Sequence, residues 1–458
     1  YGWRVLRVDD GNDLAAIDTA LADAAGQEER PTLIVLRTVI ADPAPTKRDT
    51  PGAHGAPLGA EEIRKTKAIL GWPDEPFFVP EAARADLGAV SARGTDAEAS
   101  WQRGRAAYAK AHPTEAERFR QWIAGELPEG WDAGLPTFGI DAKAVETRKA
   151  SAAALKALAA SLPNLVGGSA DLAGSTGTAH GLGGDFGPGV AGQTVHWGIR
   201  EHAMAACMNG MAAHGGVRPF GSTFLVFSDY MKPSIRLAAL MGLPVVYLGT
   251  HDSIGVGEDG PTHQPIEHLA MLRAIPNVVV LRPGDANETV EAWRAAVERR
   301  DGPTVLALTR QKLPVLDRAA LGPAAGVRRG GYVLYDPPGG AQAIVVATGS
   351  ELSVALDAAA RLGQDGIRAR VVSLPSWELF AAQPEAYRDE VLPPALRARV
   401  SVEAGTSFGW HRWLGDGGEA VSLDHFGASA PGERLFEEFG FTAAHVADTV
   451  RRVLSRST

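Results

Sequence analysis

The chain has 458 residues, 45% of them apolar and 22% charged, with a net charge of −9. That length exceeds one ordinary core and predicts two to three domains. No apolar run approaches the roughly 18–20 residues that span a bilayer, and no basic cluster offers a footprint for nucleic acid, so neither partner is expected. The lone cysteine, Cys207, cannot form an internal disulfide. It is predicted to be a buried spectator thiol in a reducing compartment, the cytoplasm. The chain starts at Tyr1 without a basic n-region or an apolar h-region, so no targeting signal is visible.

Residues 1–40 read as strand, helix, strand: YGWRVLRV, DLAAIDTALADAA and PTLIVLRTVI. One such crossover is too little for a core, so it is expected to be the remnant of a third α/β domain. A Pro/Gly-rich stretch from Ala41 to Gly59 follows, then short helical patterns with aromatic spacers such as AEASWQRGRAAYAKAHP. Residues 41–136 are predicted to form an extended interdomain linker arm. From Asp141 the pattern alternates: the helix AKAVETRKASAAALKALAAS, LVGGSADL, a helix from Gly198, then PVVYLGT, NVVVLRP and PTVLALTR. A second alternating unit starts near Gly330 with AIVVATG, SELSVALDAAARL, ARVVSL and ARVSVEAG. The fold class predicted is α/β, with two doubly wound, mainly parallel-sheet domains over 137–322 and 323–458.

The loop HDSIGVGEDGPTHQP (His251–Pro265) lies between the strand PVVYLGT and the pattern PIEHLAMLRAI, where Pro265 suits a helical first turn. Gly255, Gly257 and Gly260 match G-x-G-x-x-G, but Glu258 and Asp259 would oppose a pyrophosphate and Pro261 interrupts the helix that should begin there. A metal-dependent hydrolase could instead use His251, Asp252, Asp259 and His263, although no H-E-x-x-H or paired-cysteine spacing supports it. The loop reads best as an active-site loop at a strand end, offering neutral imidazoles as proton carriers near pH 7 beside a carboxylate that holds a hydroxyl. Taken alone, Phe224, Phe227 and Tyr230 (i, i+3, i+6) read as a core stripe, Arg200–Glu201 as a helix-surface pair, and each arginine as a surface cation.

ETRKAS (Glu146–Ser151), GGSADLAGS (Gly167–Ser175), HWGIREHAM (His196–Met204), PFGSTFLVFSDY (Pro219–Tyr230), THDSIGVGEDGPTHQP and LTRQ (Leu308–Gln311) stand in the order and spacing of transketolase. ATGSE, VVSLPS, VEAG and FGASAPGERLFEEFGFT continue the resemblance, which covers essentially all 458 residues. It implies a thiamine-diphosphate enzyme that moves a two-carbon ketol unit from a ketose phosphate, such as xylulose 5-phosphate, to an aldose phosphate, such as ribose 5-phosphate or erythrose 4-phosphate. It implies Glu201 at N1′ of the aminopyrimidine, Phe227 with Phe224 and Tyr230 as the stacking wall, and Asp171 as a cofactor-side carboxylate. Arg148, Ser175 and Arg310 would hold the sugar phosphate, while Asp259, His251 and His263 would line the channel, His263 moving protons. His54 would be shared between cofactor and substrate; three residues before it, Pro51 replaces a histidine common in relatives.

The family's G-D-G…N segment, which supplies the Mg²⁺ ligands and the diphosphate loop, would lie upstream of Tyr1. The chain is therefore expected to lack most of its diphosphate-binding domain and to contain no metal ligand of its own. A homodimer with the cofactor at the subunit interface is implied. The alternatives are an inactive fragment or a subunit needing a separate diphosphate-binding chain, and a ketol transferase like dihydroxyacetone synthase.

Overall fold

The structure is a computed structural model that describes residues 1–179 and 183–457, and its chain divides into two compact units, residues 1–107 and 108–458. In the first, β1 (Arg4–Val8) and β2 (Thr32–Leu36) pair in parallel across the crossover helix α1 (Leu14–Ala25). The segment after β2 is fastened rather than loose. The Glu62 carboxylate, on α2 (Ala60–Leu70), accepts hydrogen bonds from the backbone amides of Thr46 (2.6 Å) and Lys47 (3.1 Å) and from the Thr46 hydroxyl. Of the aromatic-spaced patterns that follow, those over residues 81–111 form one 31-residue helix, α3 (Glu81–Ala111).

The second unit opens with α4 (Pro113–Ala124), β3 (Val145–Glu146) and α5 (Thr147–Ser161). It continues through β4 (Leu165–Ser169), α6 (Ala173–Thr176), β5 (Thr194–His196), α7 (Glu201–His214), β6 (Arg218–Phe224), α8 (Ser228–Met241) and β7 (Val246–Thr250). Next come α9 (His268–Arg273), β8 (Val279–Leu281), α10 (Ala286–Glu298), β9 (Thr304–Leu308) and β10 (Lys312–Leu313). Six of the strands form a wholly parallel sheet in the order β5-β4-β6-β7-β9-β8. Both faces are covered, as an all-parallel sheet requires. Val246 and Leu248 face the cluster of Leu155, Leu158, Phe220 and Trp293, while Tyr247 faces Met204, Met208 and Ile235.

The remaining strands β11 (Tyr332–Tyr335), β12 (Ala343–Ala347), β13 (Ala369–Ser373), β14 (Arg399–Val402) and β15 (Glu419–Val421) form a second sheet, ordered β11-β13-β12-β14-β15, in which only β11 is antiparallel. Buried residues of the helices over 351–364 and 443–457 pack on one face; Trp377, Phe380, Trp410 and Trp413 pack on the other.

Three local expectations need correction. The helix expected from Ala142 starts at Thr147, because Val145 and Glu146 pair with Leu313 and Lys312 across an antiparallel bridge. Pro265 does not open a helix: the Ile266 carbonyl accepts from the Thr406 amide (3.0 Å), and α9 begins only at His268. Cys207 is exposed, not buried, since the inward stripe of α7 runs through Glu201, Met204, Ala205 and Met208 and misses it.

Candidate active site

Register places the candidate residues before any side chain is considered. Ser169 at the end of β4 pairs with Ser222, Phe224 at the end of β6 with Thr250, and Thr250 at the end of β7 with Leu308 of β9. The segments carrying Asp171, Ser175, Glu201, Phe227, Tyr230, His251, Asp259, His263 and Arg310 all leave carboxyl ends of these parallel strands. That edge is where open α/β sheets bind ligands.

The cations converge there. The Arg148 amide donates to the Thr309 carbonyl (3.4 Å), beside Arg310, and its Nη1 donates to the Ser175 carbonyl (2.6 Å). The Arg148 Nε is buried and has no hydrogen-bond partner among the described residues. Burial and the neighbouring Arg310 charge lower the Arg148 pKa, although Glu146 opposes the shift. His251, only 3% exposed, is pushed down to about 3 by burial, then by Arg148, Arg310 and His263. The Arg310 charge acts on both Arg148 and His251, so the three share one space, and an anion bound there would offset that charge.

An aromatic wall adjoins this cluster. Phe224 and Phe227 stack with centroids 5.8 Å apart, and Tyr230 follows Phe227 at 6.0 Å. The His251 ring lies 3.7 Å from Phe224, and His263 lies 5.6 Å from Phe227. The stripe expected from sequence is only partly core: Phe224 is buried, Phe227 half-buried and Tyr230 exposed. Glu201, buried, begins α7. The next residue, His202, lies with Nδ1 3.2 Å from the Ser234 hydroxyl, one helical turn beyond Tyr230 on α8.

Two site residues have left-handed backbones although neither is glycine: Asp171 and His251, each with φ of 60°. Such conformations cost about 1–3 kcal/mol and persist where surroundings over-determine them. For His251 the surroundings are visible. Its Nδ1 pairs with the Thr250 hydroxyl (2.7 Å), and its neighbour Asp252 accepts from the buried Arg282 Nε (2.8 Å). Arg282 also donates to Glu351 and Thr348, so the residue beside His251 is tied to the second sheet's domain. Sequence reasoning missed Arg282, which stands 30 positions from Asp252 and carries no local signal.

The glycines of the loop serve packing. A Cβ on Gly255 would fall 2.4 Å from the Gln311 side chain, and one on Gly257, where φ is 86°, would approach the Gly432 amide at 3.3 Å. Gln264 donates to the Gly257 and Ala428 carbonyls, and the Ser429 hydroxyl donates to the Glu258 carbonyl. Asp259 is exposed on this loop. His54 is exposed and follows a 3-10 turn over Pro51–Ala53 in the first unit.

Three family models match the chain: transketolase thiamine diphosphate binding domain over residues 1–128, transketolase pyrimidine binding domain over 143–315, and transketolase-like C-terminal domain over 330–442. The first corrects the expectation that only a remnant of the diphosphate-binding domain, residues 1–40, is present, since its model covers that remnant and most of the expected linker. A transketolase of Geobacillus stearothermophilus is 50% identical across 100% of this chain and 69% of its own length. One of Mycobacterium tuberculosis is 49% identical across 99% and 67%. Among solved structures, the transketolase of Leishmania mexicana superposes with a TM-score of 0.93 at 42% identity, covering 99% of this chain and 67% of that one. That of Pichia stipitis in complex with xylulose 5-phosphate gives 0.93 at 39%, covering 100% and 68%. Neither the hydrolase nor the fragment alternative is favoured by these relatives, and the chain belongs to the transketolase family of thiamine-diphosphate-dependent transferases.

Proposed function

We propose that the carboxyl edge of the six-stranded sheet is the ketol-transfer site, with the phosphate of a sugar-phosphate substrate held by Arg148, Arg310 and Ser175. The observation that carries this is the gathering of Arg148, Arg310, His251 and His263 in one space, with an unpartnered buried Arg148 Nε. Guanidinium groups suit a phosphate dianion because each offers several fixed donors. The same edge fits the cofactor's aminopyrimidine: stacked Phe224 and Phe227, with Tyr230 beyond, offer a flat apolar wall, and buried Glu201 heads a neighbouring helix.

In this reading Glu201 holds a proton at N1′ of the aminopyrimidine. Bound thiamine diphosphate supplies a carbon nucleophile and an electron sink for the two-carbon unit. His263, half-buried beside Phe227, takes the C3 hydroxyl proton of the donor ketose as its C–C bond breaks and returns it to the acceptor. His251, kept neutral, hydrogen-bonds sugar hydroxyls, with Asp259 as a further acceptor at the exposed rim. Asp171 is a cofactor-side carboxylate in this reading, and the family resemblance assigns His54, in the first unit, a role toward cofactor and substrate. The reading includes Mg²⁺ as the diphosphate's partner, a homodimer with the cofactor at the subunit contact, a cytoplasmic setting, and domains divided at 137–322 and 323–458.

Replacing Arg148 by Ala tests it. A charge-assisted hydrogen bond contributes about 1.5–3 kcal/mol, so KM for a sugar phosphate should rise about 10–150-fold with kcat nearly kept. KM for a non-phosphorylated ketose should barely move. An unchanged KM for the phosphorylated sugar would remove Arg148 from the phosphate site.

A further inference from the structure

Close to the aromatic wall, but outside the groups used above, Asp229, Glu267 and His268 bring one potential ligand atom each to within 4.8 Å of one another. Asp229 sits in the first turn of α8, beside Tyr230, and His268 opens α9 directly after Glu267. The two carboxylates are exposed, whereas His268 is 4% exposed. A buried imidazole normally hydrogen-bonds through both nitrogens, yet among the described residues neither His268 nitrogen has a hydrogen-bond partner. Nε2 lies 3.3 Å from Asp229 Oδ2 and Nδ1 lies 3.7 Å from Glu267 Oε2. At 3.3 Å a well-aimed N–H would make a hydrogen bond, so the carboxylate oxygen stands off the ring nitrogen's axis.

That off-axis placement has a simple chemical reading. Two ligands about 2.0–2.1 Å from a tetrahedral ion stand about 3.3–3.4 Å apart, with the ion on the imidazole axis and the oxygen to one side. The Nε2 to Oδ2 separation has this value. The geometry points to a divalent transition-metal site, with Asp229, Glu267 and His268 each giving one ligand atom and solvent completing the shell. An imidazole with two carboxylates suits Zn²⁺ and its borderline neighbours, not Mg²⁺ or Ca²⁺, which take oxygen ligands. The site's role is structural: the ion ties the first turn of α8, which carries Tyr230, to the start of α9, five residues beyond His263.

The test uses the full chain with Zn²⁺ alone, in the absence of thiamine diphosphate and Mg²⁺. Metal content after dialysis is read by mass spectrometry, and affinity by competition with a chromophoric chelator. The wild type should retain one equivalent per chain, and both His268→Gln and Asp229→Asn should bind at least about tenfold more weakly. Because Asp229 is exposed, its variant keeps the fold and decides the matter should His268→Gln fold poorly. Co²⁺ in place of Zn²⁺ should give a visible absorption band in the wild type that Asp229→Asn abolishes. No stoichiometric Zn²⁺ in the wild type, or wild-type affinity in Asp229→Asn, would overturn the site and leave His268 as the centre of an ion-pair cluster.

Discussion

Acidification from pH 7 to pH 5 should weaken the fold through His251 by an amount the structure sets. Burial and the charges of Arg148, Arg310 and His263 hold this imidazole near 3, against an ordinary 6.5. Between those values the unfolded chain binds a proton that the folded chain refuses, so stability rises with pH and falls as acid is added. Over pH 7 to 5 the unfolded-state imidazole gains about 1.4 log units of protonation free energy. At about 1.4 kcal/mol per unit the wild type should lose about 2 kcal/mol that a His251→Gln variant does not lose. Denaturant unfolding of both proteins at both pH values reads the difference directly. Selectively ¹⁵N-labelled histidine gives a second readout: the His251 ring should stay neutral from pH 8 to pH 5. Inorganic phosphate should raise its pKa, because a dianion between Arg148 and Arg310 offsets the charges that depress it. Protonation of His251 near pH 6.5 in the free protein, or equal acid sensitivity in both proteins, would refute the convergence of cations at this site.

Replacing Arg282 by Met would strand the buried Asp252 and Glu351 carboxylates; a loss of about 3–5 kcal/mol in unfolding free energy is expected. If the tie also positions His251, KM and kcat should both change in whatever fraction stays folded. Phe227→Ala removes the half-buried centre of the aromatic wall, and should weaken thiamine diphosphate binding, measured by calorimetry, at least about tenfold with little change in melting temperature.

The strands that build the site were legible because their patterns are local. PVVYLGT and PTVLALTR are short β-branched runs, and they form β7 and β9 almost as read. The loop between His251 and Pro265 was legible for the same reason: its histidines and acids leave a strand end together. What escaped depends on long-range geometry. Asp252 meets Arg282 across 30 positions, and Asp229 meets His268 across two helix starts. The start of α5 was misplaced because Lys312 and Leu313, far along the chain, claim Val145 and Glu146 for a bridge. The exposure of Cys207 was within reach, since the stripe Glu201, Met204, Ala205, Met208 leaves position 207 off the buried face. The proposed phosphate cradle lies between these cases. Arg148 and Arg310 each look like a surface cation until the amide of one meets the carbonyl preceding the other.

Glu201 is the residue on which the account of catalysis rests, and its side chain can be changed without altering shape. Ketol transfer from xylulose 5-phosphate to ribose 5-phosphate, followed with saturating thiamine diphosphate and Mg²⁺, should proceed in the wild type. It should fall at least about a hundredfold in Glu201→Gln, with melting temperature and sugar-phosphate affinity retained. Near-normal turnover in Glu201→Gln would contradict the assignment of this sheet edge as the site where the cofactor's aminopyrimidine is held and its proton moved.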